Sequence, residues 1–201
     1  MRKFFLFSLL CISLTTIGQK KTLQFALQGG FVDFVKTGNA YDYHFKSGFG
    51  MGLQARYYLT NKTFWVLDMY GKTDNGTYID EKDPLNVKRT LVFERKDYLI
   101  TNGLGYDIFT HQKHTFYLHF TLGLGISNGR KSNFSDLGNN AGYTIKTYDF
   151  NRATYAICPT IGYDLLLAKW LKIGINYTGS YLGEWDYSQN LNAKFTFIFN
   201  Q

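Results

Sequence analysis

Residues 115–127 read Thr-Phe-Tyr-Leu-His-Phe-Thr-Leu-Gly-Leu-Gly-Ile-Ser, and their alternation decides the fold. Successive side chains of a strand point to opposite faces. Phe116, Leu118, Phe120, Leu122, Leu124 and Ile126 therefore share one face. Tyr117, His119, Thr121, Gly123, Gly125 and Ser127 share the other. Strands in soluble sheets are usually about five or six residues long, whereas a tilted strand crossing a bilayer needs about 9–11. This run reaches the second length.

Seven further segments repeat the period of two. Segment 22–34 aligns Leu23, Phe25, Leu27 and Phe31. Segment 48–59 sets Phe49, Met51, Leu53, Ala55, Tyr57 and Leu59 against Gly50, Gly52, Gln54 and Arg56. Segment 63–73 sets Trp65, Leu67 and Met69 against Asp68 and Tyr70. Segment 96–109 sets Tyr98, Ile100, Leu104, Tyr106 and Ile108 against Thr101, Gly103, Gly105 and Asp107. Segment 152–167 sets Tyr155, Ile157, Ile161, Tyr163, Leu165 and Leu167 against Thr154, Thr160, Gly162 and Asp164. Pro159 falls on its apolar face and predicts a bulge or local irregularity, because proline cannot donate to a ladder. Segment 171–182 opposes Leu171, Ile173, Ile175, Tyr177 and Tyr181 to Lys172, Gly174, Asn176 and Thr178. Segment 188–200 opposes Leu191, Ala193, Phe195, Phe197 and Phe199 to Asn192, Lys194 and Thr196.

The connections alternate strictly in length. Short turns fall at 60–62, 110–114 and 168–170, and longer polar stretches at 35–47, 74–95, 128–151 and 183–187. Asn75-Gly76 and Asn128-Gly129 are read as turns within the longer stretches. Segments 74–95 and 128–151 are also long enough to extend the strands as hairpins, and 74–95 or 128–148 could instead add a strand pair within the membrane and make ten strands. A weak internal echo joins Leu104-Gly105-Tyr106-Asp107-Ile108 to Ile161-Gly162-Tyr163-Asp164-Leu165, each just before a short turn.

Composition agrees. Aromatics make up 18% of 201 residues, led by 18 Phe and 16 Tyr, with 20 Gly and 2 Pro; this mix favours strands and disfavours disorder. Mean hydropathy is −0.22, too polar for a helical membrane protein but compatible with a barrel in which alternate residues meet lipid. Residues 1–18 read as a secretory signal peptide: Arg2 and Lys3 precede the apolar run 4–17, and Thr16 and Gly18 suit a cut before Gln19. Cys11 follows the bulky Leu10, which disfavours lipidation. Its removal leaves Cys158 alone, without an intramolecular disulfide. The mature domain is residues 19–201, and it stays net positive. Its basic pairs, Lys20-Lys21, Lys88-Arg89, Arg95-Lys96 and Arg130-Lys131, are scattered mostly through the expected connections. That pattern points to solvated loops or anionic headgroups, not to nucleic acid.

Lipid offers no hydrogen-bond partner, so long strands with an apolar outer face must close on themselves. The expected fold is all-β: a closed antiparallel eight-stranded up-and-down transmembrane β-barrel. A soluble, lipocalin-like barrel would turn the apolar faces inward. Against it stand the polar, Gly-rich opposite face and the aromatics Tyr57, Tyr58, Phe64, Trp65, Phe109, Phe116, Tyr117 and Trp170, which flank the short turns like an interfacial girdle.

These features, with the closing run Lys194-Phe195-Thr196-Phe197-Ile198-Phe199, resemble the small eight-stranded outer-membrane barrels typified by the OmpA transmembrane domain and OmpX. The resemblance covers the whole mature chain. It implies a bacterial outer-membrane location, a monomeric barrel in contact with the lipid bilayer and lipopolysaccharide, insertion by the barrel assembly machinery, and long loops facing outward. Members usually finish on an aromatic residue, whereas this sequence reads Phe199-Asn200-Gln201.

Arg56, Asp68, Asp107, Asp164, Lys172 and Lys194 share the polar phase near the short turns and are expected to form an ion-pair network low in the lumen. Eight strands leave a lumen just wide enough for side chains. The network is therefore read as structural, with a narrow channel for ions or very small solutes as the alternative. Among the histidines, His119 faces the lumen, His111 and His114 lie in a short turn, and His44 lies near Asp42 and Ser47 in the first long connection. That last grouping is read as an ordinary polar loop, so no catalytic residue is assigned and a lipid-modifying enzyme is the weaker alternative. One mature cysteine and scattered histidines give no metal spacing, and the Gly-x-Gly pairs lie inside strands, so no cofactor is expected. Tyr41, Tyr43, Tyr78, Tyr143, Tyr148 and Trp185 are candidate contacts for a surface partner.

Overall fold

Backbone pairing draws the alternating segments into one cylinder. A computed structural model describes residues 22–35, 47–74, 77–82, 88–136, 143–183 and 186–200. Residues 1–21, which include the expected signal peptide, and Tyr41, Asp42, Tyr43, His44, Asn75-Gly76 and Trp185 lie outside the described residues. The strands are β1 (Thr22–Val35), β2 (Gly48–Tyr58), β3 (Thr63–Asp74), β4 (Thr77–Lys82), β5 (Lys88–His111), β6 (His114–Asp136), β7 (Tyr143–Ala168), β8 (Leu171–Leu182) and β9 (Asp186–Asn200). Neighbours run β3-β2-β1-β9-β8-β7-β6-β5, all antiparallel, and β3 pairs with β5 from Thr63↔Tyr106 to Thr73↔Lys96. That last pairing closes an eight-stranded ring. Its termini meet at Thr22↔Asn200 on the short-turn side.

In the longer connections 74–95 and 128–151 the described residues are strand. Among the described residues β4 pairs with β5 alone, from Thr77↔Phe93 to Lys82↔Lys88, continuing the edge that β3 occupies lower down. β6 and β7 stay paired out to Asp136↔Tyr143. Both are extensions of existing walls, so the ring keeps eight strands. β5, β6 and β7 are 24, 23 and 26 residues long, over twice the length of about 9–11 that a bilayer demands.

Two local expectations are corrected and a third is narrowed. Asn128-Gly129 is not a turn: it lies inside β6, paired with Lys96 and Arg95 on one side and Asn151 and Phe150 on the other. Ladder bonds on both flanks override the dipeptide's turn preference. Lys88-Arg89, Arg95-Lys96 and Arg130-Lys131 likewise lie in strands, not loops. Pro159 brings the expected local irregularity, though not as a bulge. Pairing of β7 with β8 lapses between Ile157↔Tyr181 and Thr160↔Thr178 and resumes in the same register. The missing N–H costs a ladder bond without adding a residue. The register shifts occur instead at Asp107/Phe109 and Leu166/Ala168, next to the short turns.

The cylinder is apolar outside. Phe31 is 77% exposed and Leu124 71%, and the whole Phe116-to-Ile126 row faces out. Its inner wall is polar: Gln24, Gln54, Arg56, Asp97, Thr121, Asn176, Asn192 and Lys194 are all buried. This inverts the arrangement of a soluble barrel and rules that reading out. Within the girdle, Phe64 and Tyr117 are fully buried in the lumen, while Trp65, Phe109, Phe116 and Trp170 face out. The reason is phase, since Phe64 shares the face of Asp68, and Tyr117 that of His119.

Candidate functional site: the lumen

Three layers of side chains fill the bore. At the short-turn end, Asp164 of β7 receives Arg56 of β2 at 3.2 Å and Lys194 of β9 at 2.8 Å. Lys194 also donates to the Tyr117 hydroxyl at 2.8 Å. The Arg56 guanidinium lies 3.8 Å from the centre of the Tyr117 ring and 4.9 Å from that of Phe64. Apart from the Arg56–Phe64 contact, which joins the paired strands β2 and β3, each of these contacts links strands that are not neighbours in the ring.

The internal echo has a steric meaning here. Gly105 is the cross-strand partner of Phe64, and Gly162 that of Tyr117. A Cβ on Gly105 would lie 2.2 Å from the Phe64 ring, and one on Gly162 would lie 2.2 Å from the Tyr117 hydroxyl. Each glycine is the floor on which an aromatic plug residue lies.

In the middle layer Asp68 accepts from Gln54 at 2.8 Å and faces His119 Nε2 at 3.4 Å. Gln28 reaches Asp68 at 3.4 Å and accepts from Asn176 at 2.8 Å. Asn192 donates to Asn176, and Tyr70 to Asn192, at 2.8 and 2.6 Å. The space left here is about 30 Å³, lined by Gln28, Asp68, Tyr70, His119 and Cys158 among others. That holds roughly one or two waters.

At the long-connection end Asp97 takes two bonds from Arg95, at 2.8 and 3.0 Å, and faces Lys72 at 3.6 Å. Lys72 also donates to Ser188, and both cations stack near Phe34. The Arg95 backbone N–H donates to Asp74 at 2.8 Å.

The six residues expected to form one network thus divide. Arg56, Asp164 and Lys194 come together. Asp107 accepts instead from the Tyr58 hydroxyl at 3.0 Å. Lys172 feels the charges of Asp164 and Asp107 but makes no ion pair within 4.0 Å among the described residues. Asp68 belongs to the middle layer. The cluster of Lys72, Arg95 and Asp97 was not anticipated from sequence. Its signal was the phase: Lys72 falls in step with Asp68, and Asp97 with Thr101 and Asp107. His111 and His114 face each other across a two-residue turn in which Gln112 takes a φ of 51°, and His114 Nδ1 lies 2.6 Å from the Tyr163 hydroxyl.

No protein-family model matches the sequence, and no curated protein matches it either. Solved structures do match. Ail, the attachment invasion locus protein of Yersinia pestis, crystallised with the heparin analogue sucrose octasulfate, superposes with a TM-score of 0.55 at 15% identity, covering 90% of this chain and 100% of that one. Neisserial surface protein A superposes with a TM-score of 0.56 at 16% identity, covering 88% and 96%. At such identities the likeness is one of fold. That fold is the one found in small eight-stranded outer-membrane barrels, and the apolar outer wall fits it to that membrane.

Proposed function

We propose that this integral outer-membrane barrel is a non-catalytic, non-conducting cylinder whose role lies in the strand extensions beyond the bilayer. One observation carries the reading: side chains reach across the bore at both ends, through Arg56–Asp164 and Lys72–Ser188, and the cavity of about 30 Å³ between them has room for roughly one or two waters. On this reading the lumen charges, including Arg56, Asp68, Asp107, Asp164, Lys172 and Lys194, hold the cylinder together. The extensions of β5, β6 and β7 present Lys96, Arg130, Lys146 and Arg152, all exposed. Such a surface suits an anionic partner, as does the heparin analogue bound by Ail. Secretion through a signal peptide at residues 1–18 and insertion by the barrel assembly machinery belong to the same proposal.

Planar-bilayer recording of the purified barrel tests it. The expected trace shows no stable conductance steps. Long-lived, uniform steps would establish the narrow-channel alternative and overturn the sealed-lumen reading.

A further inference from the structure

One outward residue breaks the lipid-facing belt. Between the two ends of that belt, each outward position of β1–β3 and β5–β9 is apolar, aromatic or glycine, apart from Asn102. Asn102 is exposed on β5, four residues from Tyr98 on one side and four from Tyr106 on the other. Its cross-strand neighbours are Leu67 and Leu122, so no polar side chain stands level with it on either flank. Among the described residues its amide has no side-chain hydrogen bond. A primary amide held in mid-bilayer leaves donors and an acceptor unmet, and acyl chains supply neither.

We infer that Asn102 marks the face through which two copies of this barrel pair in the membrane. Two arguments select a second copy as occupant. Copies inserted in the same sense carry Asn102 at the same depth, so a two-fold axis along the bilayer normal brings the two amides together. An amide is also self-complementary: each donates its N–H to the other's carbonyl, as an isologous contact requires. Shape agrees. Beside Leu67 the wall dips into an apolar cleft of about 380 Å³, lined by Phe25, Leu27, Leu53, Ala55, Leu67 and Met69. Ala55 makes the dip, between its larger partners Phe25 and Leu67. A partner's protruding Leu or Met fits there. Polar side chains join membrane segments in this way. This pairing replaces the monomer expected from sequence, and it does not depend on whether the lumen conducts.

Energy transfer between donor- and acceptor-labelled full-length barrels in phosphatidylcholine vesicles tests the inference as lipid is diluted. Wild type should show dilution-dependent transfer, and Asn102→Gln should keep it. Asn102→Leu should weaken association roughly three- to tenfold, the scale of one or two hydrogen bonds in a bilayer. Asn102→Leu should also fold at least as well as wild type by gel mobility, because it completes the apolar belt. Asn102→Cys should cross-link on oxidation, while Phe195→Cys on the opposite wall should not. Absence of transfer in wild type, equal association of Asn102→Leu, or equal cross-linking from both walls would each overturn it.

Discussion

The two ends of the bore are closed by the same chemistry in different geometry. At each, one buried aspartate holds two buried cations against aromatic rings. At the short-turn end no two partners sit on neighbouring strands: Asp164 on β7 meets Arg56 on β2, across the ring, and Lys194 on β9, beyond β8. At the long-connection end Arg95 and Asp97 sit two residues apart on β5, and Lys72 is the direct cross-strand partner of Asp97 on β3. The first cluster ties opposite walls. The second dresses one wall and reaches across by the Lys72–Ser188 bond. A barrel narrow enough to be spanned by a side chain can use its charges as cross-braces, and this one does so at the end where it carries the short turns.

Removing an aspartate from each end breaks the comparison most severely. Asp164→Ala leaves Arg56 and Lys194 buried without their anion, which should cost about 3–5 kcal/mol in urea unfolding from vesicles. Pairing it with Lys194→Met should recover part of the loss, since the two sites share one interaction. Asp97→Ala should cost less, about 1–3 kcal/mol, because its cations lie near the rim, where water can reach them after a small shift. Equal losses at the two ends would mean that crossing the bore adds nothing.

The plug itself can be lifted without touching a charge. Gly105→Ala drives a methyl into the Phe64 ring, and overpacking of this kind costs about 1–3 kcal/mol. Gly71→Ala, on the outer face of β3, has its nearest neighbour 3.6 Å away and should be near neutral. A small effect is expected outside the bilayer as well. Arg130 and Asp149 pair at 2.9 Å but their side chains are 53% and 78% exposed, so Arg130→Ala should change stability by no more than about 1 kcal/mol.

Alternation made the ring legible in the sequence. A strand has a period of two, and a wall with lipid on one side and a crowded bore on the other must obey it at every position. The same rule already contained the lumen cluster of Lys72 and Asp97, which escaped notice because charge near a long connection reads as solvated loop. Phase also separates Phe64 and Tyr117 from Trp65 and Phe116, although all four lie near short turns. What sequence could not give is reach across the bore. Nothing local links Arg56 to Asp164, 108 residues away, and nothing local reports that Asn128-Gly129 is held by ladders on both sides.

Single-cysteine accessibility along residues 115–127, in vesicles and with Cys158→Ala as background, tests the central claim most directly. Phe120→Cys, Leu122→Cys and Leu124→Cys should react with a membrane-soluble maleimide and resist a charged thiosulfonate. Thr121→Cys and Ser127→Cys should resist both until urea unfolds the barrel. Reaction of the Thr121 and Ser127 variants with the charged reagent in the folded state would show an open, watered lumen and contradict the account.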